Sequence, residues 1–183
     1  MSWSYCERWN KKLAEPIAPL TEDEARARHG RGELYTAFST REDGAVSLVV
    51  EVRLENGFVG IWDLDEYQRP RWRRVLLQHG DRMFMEDGIL YDYGDSKKLL
   101  TISQADRILH RHVEPDGNGW ETRHRKGGST AERAEISLKE GRSLEHYWTP
   151  VPAFGAYDAV TMAGIDPNEL EEALREYEQK NQG

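Results

Sequence analysis

The run from Ala45 to Leu64 constrains the fold more tightly than any other stretch. Val46, Leu48, Val50, Val52 and Leu54 recur at every second position, Asn56-Gly57 follows, and a second apolar run continues to Leu64. Period-two alternation predicts a strand with one buried face, and Asn-Gly is a strong short-range signal for a two-residue type I′ turn. The stretch therefore reads as a long β-hairpin. A two-residue turn sets Glu55 opposite Phe58, Leu54 opposite Val59, Val52 opposite Ile61 and Val50 opposite Asp63, which puts Val50, Val52, Leu54, Val59 and Ile61 on a core face. The other face carries Glu51, Arg53 and Glu55 beside Phe58 and Trp62, with Gly60 between the two rings. Aromatic rings among charges call for a cover, supplied either by a terminal helix or long loop or by a ligand or partner.

The rhythm of this hairpin extends along the chain. From Glu33 to Thr149 turn residues recur about every ten positions, which predicts nine or ten short antiparallel strands. Leu34 to Ser39 is the first, and Asp43-Gly44 turns into the hairpin. Arg71 to Gln78 follows a bend ending at Pro70, and His79-Gly80-Asp81 leads to Arg82 to Glu86. Asp87-Gly88 is read as another tight turn, which would pair Phe84 with Tyr91. Lys98 to Ile102, Arg107 to Glu114 and Trp120 to Lys126 are further strand candidates. A three-residue loop at Lys139-Glu140-Gly141 would set Ile136 opposite Leu144 and Ala134 opposite His146, with Trp148 on the same face. The predicted architecture is mainly β, an antiparallel meander closed into a barrel or packed as a two-sheet sandwich, with the barrel preferred.

Helices are expected only at the ends. Trp3, Cys6, Trp9 and Leu13 share one face of a short helix that Pro16 and Pro19 would stop, and Thr21 with Glu24 forms a capping-box pattern ahead of a second helical turn. Asp166 and Pro167 open a final amphipathic helix with an apolar stripe of Leu170, Ala173, Leu174 and Tyr177. Between Asp166 and Lys180 six carboxylates face only Arg175 and Lys180, a local net charge of −4. A single domain is expected, with a helical segment over 1–32, a β core over 33–149 and an irregular segment plus helix over 150–183.

Composition narrows the function. With 33 acidic against 25 basic side chains the formal charge is −8, which disfavours nucleic-acid and anionic-membrane binding. No apolar stretch reaches the roughly 18 residues of a membrane span, and no secretory pattern opens the chain, so a reduced cytoplasmic setting is expected. The lone Cys6 excludes an internal disulfide.

His110, His112 and Glu114 alternate along a predicted strand, a spacing that resembles part of the cupin metal motif. The cupin carboxylate position and second motif have no counterpart, so the resemblance transfers no ligand. A metal site needs three convergent groups, for which His124 and His146 are the remaining candidates; no metal and no cofactor are expected. Arg69, Arg71, Arg73 and Arg74 surround Trp72, but alternation splits them between faces, and Asp63, Asp65 and Glu66 stand ready to pair with them.

No phosphate loop, Cys-x-x-Cys pair or nucleophile elbow occurs, which leans against an enzyme. The leading expectation is a non-enzymatic cytosolic protein-binding domain of inhibitor or immunity type, with an acidic, aromatic-bearing surface for a basic partner. The alternative is a small-molecule-binding barrel or cofactor-free enzyme with an internal pocket. Candidate binding residues are Phe58, Trp62, Trp72, Tyr91, Tyr93, His110, His112 and Trp148.

Overall fold

A computed structural model describes residues 2–127, 132–137 and 143–164. Eleven strands form one antiparallel sheet: β1 (Ser4–Asn10), β2 (Glu15–Leu20), β3 (Tyr35–Thr40), β4 (Val46–Arg53), β5 (Phe58–Leu64), β6 (Pro70–His79), β7 (Arg82–Asp92), β8 (Arg107–Val113), β9 (Asn118–Arg125), β10 (Glu132–Ser137) and β11 (Trp148–Pro150). The helices are α1 (Glu22–Gly30) and α2 (Asp158–Met162). Ten strands follow in the order β10-β9-β8-β7-β6-β5-β4-β3-β1-β2, and β11 pairs with the start of β7. The sheet is not closed: β10 and β2 are its two ends, so the barrel is not formed.

The central hairpin forms, with its register moved by two residues. Leu54–Asn56 winds into a 3₁₀ turn and Gly57 completes a four-residue loop with φ 59°, so Val52 faces Val59 and Val50 faces Ile61. A shift of two preserves parity, so Val50, Val52, Val59 and Ile61 stay buried, whereas Leu54, expected on the same face, winds into the turn and is only partly buried. Gly57 is also required sterically, since a Cβ there would lie 2.7 Å from the Gln78 Cβ.

Four local expectations are overturned. The N-terminal residues are strand rather than helix: β1 pairs with both β2 and β3, burying Cys6 and Trp9. A helix this short has little stability alone, whereas pairing with β2 over Tyr5–Asn10 and with β3 over Ser4–Cys6 satisfies backbone groups of an aromatic-rich strand. Asp87-Gly88 is not a turn. β7 runs through it with a bulge, because its first residues pair with β11 and Asp87 to Asp92 pair with β8. Lys98 to Ile102 is not a strand either: Thr101 and Gln104 make a reciprocal capping box around a 3₁₀ turn. The expected pairing of Leu144 and His146 with β10 is replaced by a 3₁₀ turn at Glu145–Tyr147, after which Trp148 faces Phe84. By contrast, α1 begins with the capping box read at Thr21 and Glu24. The Lys139-Glu140-Gly141 loop and the final helix lie outside the described residues.

The first face of the sheet holds Val50, Val52, Val59, Ile61, Leu76, Leu90 and Leu109, and the chain covers it with Tyr147, Tyr157, Val160 and Ala163. Arg74 anchors that cover. Its side chain is 2 % exposed, pairs with Asp63 at 2.6 Å and donates to the carbonyls of Thr161 and Ala163. At the same layer the Tyr35 hydroxyl lies 2.9 Å from His29 Nδ1 and 2.9 Å from the Tyr157 hydroxyl.

Two outcomes test this packing. Val52→Asp, at a site with no exposure, places an unpaired charge in the core and costs several kcal/mol, a large share of the usual margin of about 5–15 kcal/mol; denaturant melts should show the midpoint collapse. Burial and the nearby charge of Arg26 push His29 below its ordinary 6.5. The unfolded chain therefore takes up the proton first, so the stability linked to His29 is whole above pH 6.5 and is lost as pH falls below it. Melts from pH 7.5 to 5 should show that decline, reduced in His29→Gln, which keeps a hydrogen-bonding side chain without the titration.

Candidate functional site

The second face of the sheet carries two apolar clusters, one around Cys6, Trp9, Val49, Trp62 and Leu64 and one around Ile89, Tyr91, Tyr93 and Ala105. The β1–β2 turn packs over the first cluster and the loop after β7 over the second. Between these two segments lies an open groove of about 640 Å³, floored by Trp62 and Tyr91, with Lys11, Lys12 and Arg73 around it and the Thr101–Gln104 turn as one wall.

Trp62 is held from several sides and is 3 % exposed. The Lys11 ammonium sits 4.0 Å from its ring centre and the Arg73 guanidinium 5.3 Å, a cation–π arrangement on both counts. Lys11 is also 3.4 Å from Glu51. Phe58 approaches Trp62 across Gly60, where a Cβ would lie 2.9 Å from both rings. Arg73 hydrogen-bonds the Tyr91 hydroxyl, whose pKa burial nonetheless raises. The Arg73 Nε is buried and has no acceptor among the described residues. Tyr93 donates to the Pro70 carbonyl at 3.0 Å, and Arg69, paired with Asp65 at 2.7 Å, is set between the rings of Tyr67 and Tyr93.

The arginine cluster is thus divided. Arg69 and Arg74 are buried and neutralised by Asp65 and Asp63, while Arg73 alone lines the groove.

His110 and His112 also lie on the second face, away from the groove. His110 Nε2 and His112 Nδ1 donate to the same Asp87 oxygen at 2.7 and 3.1 Å, and Trp120 packs on both imidazoles. Burial pushes Asp87 upward, but the hydrogen bonds and charge of the two histidines outweigh it and hold the carboxyl below its ordinary value. His124 is exposed, and His146 rests against Tyr147. Among the described residues no group of three or more His, Cys, Asp or Glu is placed to hold a metal ion. Asp87 was hidden in the sequence by its resemblance to a turn residue. Cys6 is buried, which pushes its thiol up to about 11 and away from nucleophilic use.

Of the eight candidate residues, Phe58, Trp62, Tyr91, Tyr93, His110 and His112 share the second face, but only Trp62 and Tyr91 meet at the groove. Trp72 and Trp148 belong to the first face: Trp72 packs under the Arg74 guanidinium at 4.0 Å, and Trp148 packs on Phe84 with ring centres 4.8 Å apart. Trp62, Tyr91, His110, His112 and Trp148 therefore do not converge inside a closed pocket. Trp62, Trp72, Tyr91 and Tyr93 are buried rather than displayed. Sequence reading missed Lys11, Lys12 and the Thr101–Gln104 turn; the Thr-x-x-Gln spacing was the signal for the latter.

The chain matches no known family model, no curated protein and no solved structure. Among the described residues no helix is long and apolar enough to cross a membrane.

Gly60→Ala should force Phe58 and Trp62 apart and cost about 1–3 kcal/mol by overpacking. Near-ultraviolet circular dichroism should report the disturbed indole alongside a lowered melting temperature; an unchanged spectrum would mean the rings do not meet there.

Proposed function

We propose that this chain is a non-enzymatic protein-binding domain and that its partner seats over the groove on the second face. One observation carries the reading. The two segments that wall the groove also bear exposed apolar side chains, Leu13 at 56 %, Leu99 at 50 % and Ile102 at 45 %. Apolar side chains exposed on the segments beside a groove suit an interaction surface, because their contact with water is costly unless a partner removes it.

The groove's volume lies in the range of small-molecule sites, but such sites enclose most of their ligand. This groove is open, and a small molecule within it would leave Leu13 and Leu99 in water. A protein surface covers the floor and the rim together. The first face is closed to that role, since residues 144–164 occupy it. Binding of this kind suits a cytosolic inhibitor or immunity-type protein, which acts by covering another protein rather than by chemistry of its own.

The test is capture from cells that express the protein, comparing wild type with a Leu99→Asp/Ile102→Asp double variant. Both sites are exposed, so the melting temperature should hold. The expected result is a protein partner recovered by wild type and depleted at least tenfold with the variant. A partner retained equally by both, or a small molecule lost with the variant in the absence of any protein, would overturn the proposal.

A further inference from the structure

We infer that the groove receives an acidic segment of the partner, with apolar side chains flanking its carboxylates. The inference rests on the groove being the partner site and adds the chemistry of what enters it. The whole chain carries a charge of −8, yet Lys11, Lys12 and Arg73 line the groove and no carboxylate does among the described residues.

These cations are not all committed to the fold. Lys11 is shared between Glu51 and the Trp62 ring. Lys12 and Arg73 have no carboxylate partner among the described residues, in contrast with Arg69, Arg74 and Arg111, which pair with Asp65, Asp63 and Glu121. Arg73 also keeps a buried Nε–H with no acceptor among those residues. A buried donor left unpaired costs about 1–3 kcal/mol, a cost that an incoming acceptor relieves if it reaches that atom.

Net charge governs approach at long range, but charges farther apart than about 8 Å are screened at physiological salt, so the groove's own cations decide which group is accepted at contact. Carboxylates meet Lys12 and Arg73, and flanking apolar residues meet Ile102 and Leu99. A basic segment would bring like charge against three cations.

A random twelve-residue peptide display library panned on the intact protein tests this, with counter-selection on the Leu99→Asp/Ile102→Asp variant to keep groove-dependent binders. Enriched peptides should carry Asp or Glu beside apolar residues. By fluorescence anisotropy a selected peptide should bind Lys12→Glu at least tenfold more weakly than wild type, with Lys12→Arg close to wild type and all variants melting alike. Enrichment of neutral or basic peptides, or equal binding by Lys12→Glu, overturns the acidic occupant while leaving the protein-binding reading in place. No groove-dependent peptide at all overturns the inference, and the capture experiment then decides separately whether the groove binds protein.

Discussion

Arg74 is the interaction on which the arrangement depends. A guanidinium stays charged at any physiological pH, so burying one is costly unless most of its donors are met. Asp63 meets Nη2 and the carbonyls of Thr161 and Ala163 meet Nη1, while the buried Nε has no acceptor among the described residues. The residue that neutralises itself across the β5–β6 pair thereby fixes the path of the segment that covers the first face. Replacing Arg74 with an alanine would leave Asp63 without its partner and two carbonyls without a donor, and it would open a void beneath Trp72. The cover is therefore part of the core.

What the sequence made legible were the features governed by local periodicity. The buried parity of Val50, Val52, Val59 and Ile61 follows from alternation alone and survived a two-residue error in register, since a slip of two keeps every side chain on its face. The opposition of Arg74 and Trp72 to Arg71 and Arg73 was legible for the same reason. What failed depended on partners distant in sequence. Trp3, Cys6 and Trp9 fit a helical spacing, and only the strands at Glu15–Leu20 and Tyr35–Thr40 draw Ser4–Asn10, with Cys6 and Trp9, into a strand. Asp87-Gly88 has the composition of a tight turn, and its pairing with Val75 and Arg74 on one side and His112 and Arg111 on the other keeps it extended.

The candidate site was half legible. Phe58 and Trp62 stood out as rings on a charged face; Trp62 is buried beside Lys11 of the short β1–β2 turn rather than under a terminal helix or long loop, and Phe58 is half-buried. Their exposure was not legible, because Lys11 reaches Trp62 from a turn about fifty residues earlier. Trp62 and Tyr91, the aromatic floor of the groove, stand out in the sequence, whereas Lys11 and Lys12 come from a segment with helical spacing and only Arg73 from a predicted strand. An overall acidic composition then pointed to a basic partner, although the local lining has the opposite sign.

The ends of the sheet explain why recognition would fall to a face. An open antiparallel sheet offers unpaired backbone groups at each end, and those would recruit any extended chain unless blocked. In β2 the blocking is explicit: Pro16 and Pro19 remove two donors, and Ala18 at φ 50° interrupts the extended backbone between them. At β10 the exposed side chains include Arg133 and Glu135, charges that disfavour stacking against an apolar strand. Edge addition reads a partner mainly through backbone hydrogen bonds and discriminates weakly between sequences. A groove with an indole floor, unpaired cations and apolar rims would select by side chain instead. With β2 blunted by proline and the first face covered, the proposed partner contact falls to the second face, where Lys12, Arg73, Leu99 and Ile102 offer both charge and apolar area.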